Sequence, residues 1–252
     1  MLFLVSNDDG IDATGIKVLE QSLSALGKVV VCAPKTEQSA KSHSFSMHEA
    51  IRVTQHAENR WAVWGTPADS VYLGIHHFCQ QMYGQKPDLV VSGINRGTNL
   101  GTDVHYSGTV AAAQEGAFSG IPSLAVSLKL NEGEPPCWEL AGRLAHRIAE
   151  KMLGTPNMPS VCLNLNVPAV ADHVVPDIRW AKLGARHYHP LVEKREDPRG
   201  RAYYWVGGHH RAFCNREGTD GRLFSEGHAT LTPLTRDLTD EGVFQGLADV
   251  VW

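Results

Sequence analysis

Apolar positions along the first 170 residues follow two periods in turn. Leu2–Val5, Val29–Ala33, Leu89–Val91, Ile121–Leu128 and Ser160–Val167 are short and nearly continuous apolar runs, the pattern of strands buried on both faces. Between them the spacing turns helical. Thr14–Leu26 sets Ile16, Leu19, Leu23 and Leu26 on one face before Gly27 stops it. A second helix starts at Thr66 as cap, with Pro67 in its first turn and Asp69 against the dipole, and runs to Tyr83. Further helices are predicted over Gly108–Phe118 and Pro135–Met152, and Ile51–Val53 with Trp61–Trp64 reads as a hairpin. Strand, helix and buried strand in succession predict an α/β fold, a Rossmann-like doubly wound and mostly parallel sheet. Ligands of such sheets gather at the carboxyl ends of the strands.

Beyond Pro168 the helical period fades. Strand-like pieces remain at Ile178–Leu183, Tyr203–Val206 and Ala229–Leu234, separated by charged and glycine-rich turns. The expected division is an α/β core over 1–168 and a hairpin extension over 169–252 that packs on the core or on another subunit.

Composition narrows the class. The 252 residues carry 23 basic and 27 acidic side chains, a formal charge of -4, which lacks the basic excess of a nucleic-acid binder. No apolar run has the length to span a bilayer, and Met1 leads straight into a strand, so a cytoplasmic protein with neither nucleic-acid nor membrane partner is expected. Cys32, Cys79, Cys137, Cys162 and Cys214 are scattered and never paired as Cys-x-x-Cys, and read as buried thiols. The histidines, among them His76-His77 and His209-His210, show no His-Glu-x-x-His spacing and read as solvated or structural.

Candidate chemistry sits at strand ends. The first strand runs into Ser6-Asn7-Asp8-Asp9-Gly10, which taken alone reads first as a turn that favours Asn, Asp and Gly; the sharper reading is that two adjacent carboxylates, which repel each other and resist desolvation, are offset by a divalent cation held by hard oxygen ligands. After the strand at Leu89, the loop through Asn95 carries Gly93, Gly97, Gly101 and Gly108, and Ser107-Gly108-Thr109 falls where a helix begins. Taken alone Ser107 reads as a helix cap, while the free N–H groups and positive dipole end there also suit a phosphate, with two hydroxyls beside it. A cation site and an anion cradle on one sheet edge are the equipment of phosphoryl transfer or hydrolysis. A Gly-x-x-x-x-Gly-Lys-Ser/Thr loop is absent, and no Gly-x-Gly-x-x-Gly follows the first strand. The polar loop Lys35–His48 lies at the same end of the sheet; its His43 reads as a solvated histidine, with proton donation to a leaving group as the sharper alternative.

The motifs SNDDG at 6–10, AP at 33–34 with Ser39 downstream, GTPADSVYLG at 65–74, SGINRGTNLGTDVHYSGTVAAAQEG at 92–116, NLNVP at 164–168, DPRG at 197–200 and TPLTRDLT at 232–239 resemble the SurE family. These are stationary-phase survival proteins that act as divalent-metal-dependent nucleoside monophosphate phosphatases. The resemblance implies one divalent cation per subunit, magnesium or manganese, on Asp8, Asp9, Ser39 and Asn95, and a phosphate site at Asn99, Ser107, Gly108 and Thr109. It implies catalysis through Asp8 and Asp9 on nucleoside 5'- or 3'-monophosphates, with polyphosphate as a further substrate, and homodimers or homotetramers that exchange C-terminal segments. The other reading of the same pocket is a nucleotide-binding sensor with little or no turnover. One departure stands out: where the family commonly shows Arg-Ser-Gly, this chain has Gln38-Ser39-Ala40 and then Lys41, which removes a bidentate phosphate donor.

Overall fold

A computed structural model describes residues 1–170, 174–213 and 216–247. Its centre is a nine-stranded sheet in the order β3-β4-β2-β1-β5-β6-β7-β11-β8. The strands of its first half are β1 (Leu2–Ser6), β2 (Lys28–Pro34), β3 (Val53–Ala57) and β4 (Arg60–Val63). Then come β5 (Leu89–Arg96), β6 (Ser123–Leu128) and β7 (Cys162–Val167). Within it β4, β2, β1, β5, β6 and β7 run parallel, while β3 is antiparallel on the β4 edge. Strand order reverses at β1, so the crevice between the carboxyl ends of β1 and β5 is the topological switch point.

Both faces of the sheet are covered, and the alternation within β1 records it. Phe3 and Val5 join the core beneath α1 (Thr14–Ser24), whose Ile16, Leu19 and Leu23 are buried, while Leu2 and Leu4 join the opposite core with Val71 and Ile75. The predicted helix after Thr66 forms as α2 (Pro67–Leu73), a π-helical turn at Gly74–Phe78 and α3 (Cys79–Tyr83). Its start is a capping box: Thr66 Oγ1 accepts from Asp69 N–H at 3.1 Å and Asp69 Oδ2 accepts from Thr66 N–H at 2.8 Å. Next come α4 (Gly108–Phe118), on the same face as α2, and α5 (Trp138–Gly154), which packs beside α1.

The tail forms the expected hairpin and also extends the main sheet. β8 (Ile178–Trp180) and β11 (Ala229–Leu234) enter the main sheet, β11 antiparallel to β7 and β8 parallel to β11. A separate antiparallel ribbon consists of β9 (Arg186–Glu196) and β10 (Ala202–Phe213). Two short helices, α6 (Asp220–Ser225) and α7 (Glu241–Leu247), lie where no helical period is visible in the sequence. Cys32, Cys79 and Cys162 are buried free thiols and Cys137 is half-buried; Cys214 and the side chains of His209 and His210 lie outside the described residues.

No side chain fits between α4 and the sheet at Gly116: a Cβ there would lie 2.4 Å from Ser123 Oγ and 2.7 Å from Val90 Cβ. Alanine at this position gains helix propensity yet must push α4 off the sheet, so Gly116→Ala is expected to destabilise the protein by about 1–2 kcal/mol in urea denaturation. An unchanged midpoint would mean that α4 is not seated as described.

Candidate active site

β1 delivers the acid pair to the switch point. Asn7 Nδ2 donates to Gly10 O at 2.9 Å, which closes the turn on which Asp8 and Asp9 sit. Asp8 is 5 % exposed, and its carboxylate accepts a short hydrogen bond from the Thr109 hydroxyl, supplemented by the Thr109 backbone N–H. Burial pushes the Asp8 carboxyl up to about 6; Thr109 opposes the rise and the neighbouring Asp9 charge adds to it. Asp9 is half-buried and is also raised, chiefly by burial, with Glu37 adding to the shift. The Arg96 backbone N–H, donating to Asp9 Oδ2 at 3.2 Å, works the other way.

The first turn of α4 can reach Asp8 because residue 108 is glycine. A Cβ there would stand 2.7 Å from Asp8 Cβ and 3.0 Å from Asp8 Oδ2. Ser107 is the cap, accepting from Val110 N–H at 3.1 Å, and it stays at the wall of the cleft. The structure therefore separates two hydroxyls that the sequence places side by side at a bound anion. Ser107 faces the cleft, whereas Thr109 is fully buried and turned to Asp8.

Asp8, Asp9, Ser39, Asn95, Asn99 and Ser107 line one cleft of about 1030 Å³, with Gly108 and Thr109 directly behind Asp8. Asn95 Nδ2 donates to Gly97 O at 2.9 Å. Asn99 forms a fixed floor: its N–H donates to Asn166 Oδ1 and its Nδ2 to Ser127 Oγ, both at 2.8 Å. The Asn99 carbonyl in turn accepts from Asn164 at 2.8 Å and Asn166 at 3.1 Å. Ser39 is the exposed member; its hydroxyl donates to Glu37 Oε1 at 2.7 Å. Ala40 beside it has φ +56, the left-handed region where glycine is at ease and alanine is strained, so the glycine common in the family at this position has a conformational reason.

Glu37, Arg96, Trp138 and Tyr188 also line the cleft and were not read from the sequence. Glu37 and Arg96 flank predicted ligands, a proximity that the sequence does contain. Tyr188 arrives on β9, for which no strand pattern was visible, and its hydroxyl donates to Asp103 at 2.8 Å. His43 is a correction: it is a half-buried partner of α4 and not a solvated loop histidine, with Nε2 2.8 Å from Glu115 Oε2 and its ring stacked on Phe118. It does not line the cleft.

Among the described residues no group of three His, Cys, Asp or Glu side chains converges to hold a metal. The donor set at the switch point is of another kind, two carboxylates with a hydroxyl and an amide oxygen, all hard ligands suited to magnesium or manganese. Two carboxylates driven upward by burial, Asp8 also by the Asp9 charge and Asp9 by that of Glu37, are the electrostatic counterpart of a cation site.

Fold and site together define a doubly wound α/β protein with an acid pair at its switch point and a helix N-terminus braced against one of the acids. The family model described as Survival protein SurE matches residues 3–190. The 5'-nucleotidase SurE of Paramagnetospirillum magneticum is 45% identical over 237 residues, covering 94% of this chain and 90% of that protein. That of Geotalea daltonii is 41% identical over 240 residues, 95% of each. The crystal structure of the SurE protein from Aquifex aeolicus superposes with a TM-score of 0.83 at 36% identity, covering 98% of both chains. The chain belongs to the SurE family.

Two outcomes follow from the electrostatics. A carboxyl whose folded pKa stands near 6 against 3.8 unfolded costs the metal-free protein on the order of 3 kcal/mol above pH 6, a cost that vanishes as the pH falls toward 4. Asp8→Asn is therefore expected to raise the melting temperature of the metal-free protein at pH 7.5, with the gap closing by pH 4; a destabilised variant at pH 7.5 contradicts the cost of burying this charge. Gly108→Ala, which drives a methyl group into Asp8, is expected to weaken manganese binding about tenfold or more in calorimetry while urea denaturation remains cooperative.

Proposed function

We propose that this chain is a metal-dependent phosphomonoesterase that hydrolyses nucleoside 5'- or 3'-monophosphates to nucleoside and inorganic phosphate, with polyphosphate as a further substrate. The observation that carries the reading is the acid pair at the switch point, braced by α4, in a chain whose curated relatives are named 5'-nucleotidases. Asp8, Asp9, Ser39 and Asn95 would hold one magnesium or manganese ion. Such an ion supplies neutralisation of phosphate charge and a water of lowered pKa. The chain's own groups do the rest. Ser107 and the Gly108 N–H receive the equatorial phosphate oxygens at the cleft wall, the Thr109 and Val110 N–H groups being taken by Asp8 and Ser107 Oγ. Asp9, the more open of the two acids, accepts the proton of the attacking water. Asp8, buried and held by Thr109, keeps the pair in register.

The same reading includes association into homodimers or homotetramers through the C-terminal segments. A two-stranded ribbon in water is marginal by itself, yet β9 and β10 extend with Val192, Tyr204, Trp205 and Val206 all exposed. Among the described residues no helix is long and apolar enough to cross a membrane.

Phosphate release from a panel of nucleoside 5'- and 3'-monophosphates, with and without manganese, tests the activity. Release is expected only with metal, and Asp9→Ala is expected to lose at least about a hundredfold in kcat/KM. Nucleotide binding without release would make the chain a sensor instead. Light scattering is expected to give a multiple of 27.5 kDa, reduced toward the single-chain mass by Trp205→Glu.

A further inference from the structure

The polar loop between β2 and β3 has two distinct halves. From Ser42 to Ser46 it is tied down at every residue, Phe45 by an edge-on ring contact with Tyr72 at 5.2 Å between centroids. Ser42 donates through N–H to Tyr106 O at 3.1 Å and through Oγ to His105 O at 2.6 Å. The Ser44 carbonyl accepts from Thr66 Oγ1 at 2.7 Å. Ser46 donates through N–H and Oγ to the two oxygens of the buried Asp69, at 2.9 and 2.8 Å. His43 points the other way, onto α4: Nε2 stands 2.8 Å from Glu115 Oε2, and the ring stacks on Phe118 with centroids 5.2 Å apart and planes at 14°.

The half that carries Ser39 differs. Gln38 N–H donates to Asp8 O at 2.7 Å, and the next tie to the body of the protein is at Ser42. Between these anchors Ser39, Ala40 and Lys41 are exposed, and both Ala40 and Ser42 have left-handed backbones, at φ +56 and +52. Such conformations in residues other than glycine persist only where the surroundings hold them. Of the ties at Ser42 and His43, those made by side chains on both partners are the His43 contact with Glu115 and its stack on Phe118, and 27 % and 13 % exposure of the His43 and Glu115 side chains shields their contact from competing water. One helix therefore grips both halves of the site: Thr109 holds Asp8, and Glu115, less than two turns further on, holds the loop that carries Ser39.

We propose that His43 and Glu115 are positioning residues, a latch on α4 that fixes the Ser39 arc beside the acid pair. The consequence for metal and substrate rests on the phosphatase reading; the latch itself does not. The stacking and pairing also remove His43 from proton donation, since its ring is spent on α4 outside the cleft.

Lys41 in the middle of the arc makes the latch measurable without turnover. Trypsin cleavage after Lys41 in the metal-free full chain, followed by mass spectrometry, reports opening of the arc. His43→Ala and Glu115→Ala are each expected to speed it about tenfold, with the double variant no faster than either and His43→Gln, which keeps an amide donor, close to wild type. Manganese affinity by calorimetry is expected to fall several-fold in the same order. In the nucleotidase assay the expected loss is a higher manganese requirement with kcat largely recovered at saturation. Wild-type cleavage rates in both alanine variants overturn the proposal, as does a loss that follows the melting temperature and is not restored by glutamine. If the wild type releases no phosphate from any nucleotide, the phosphatase reading fails and the cleavage series still decides the latch.

Discussion

Everything at the carboxyl edge of this sheet depends on the placement of one carboxylate, that of Asp8, out of water, next to a second acid and against the first turn of a helix. Burial and the Asp9 charge resist its ionisation; the Thr109 hydroxyl and N–H favour it. The balance leaves an acid poised near the working pH of most enzymes, in a position where a cation relieves the strain and a proton can do so in its absence. The geometry requires the switch point that sets β1 beside β5, a serine cap that starts α4 at the right residue, and a glycine at 108 that allows contact.

A polar scaffold explains why the facing loop is rigid. Asn164 and Asn166 are unusual residues for a strand buried along its whole length, yet both donate to the Asn99 carbonyl, and Asn166 also accepts the Asn99 N–H. Buried Asp220 accepts from Gly101 N–H at 2.7 Å and Gly184 N–H at 2.8 Å, tying the tail to the same loop. Backbone groups of a loop that turns on glycines must find partners somewhere, and here strand asparagines and a tail aspartate provide them. The tail thus serves the site as well as the sheet.

Much of this was legible in the chain itself. Apolar runs without alternation located the parallel strands, because both faces of the sheet are covered. Thr66, Pro67 and Asp69 marked the start of their helix because capping chemistry is local. The adjacency of Asp8 and Asp9 at the end of the first strand pointed to charge that needs an answer. What the sequence did not disclose is contact between distant segments. Nothing local to Thr109 says that its hydroxyl turns to an acid a hundred residues earlier, and nothing in the loop around His43 announces Glu115. The β9 strand, rich in charged residues and histidine, lacks the apolar period that burial imposes, so exposure on both sides hid it, and of β10 only Tyr203–Val206 reads as a strand. Family motifs pointed to the candidate residues; the structure brings Asp8, Asp9, Ser39, Asn95, Asn99 and Ser107 to one cleft.

The most direct test of the account compares Thr109→Val with Thr109→Ser. Valine keeps the shape and removes the donor to Asp8, whereas serine keeps the donor. With both variants folded, the account predicts that valine loses about ten- to a hundredfold in manganese affinity and in nucleotide hydrolysis, and that serine stays near wild type. A valine variant that binds metal and turns over substrate as the wild type does would contradict it.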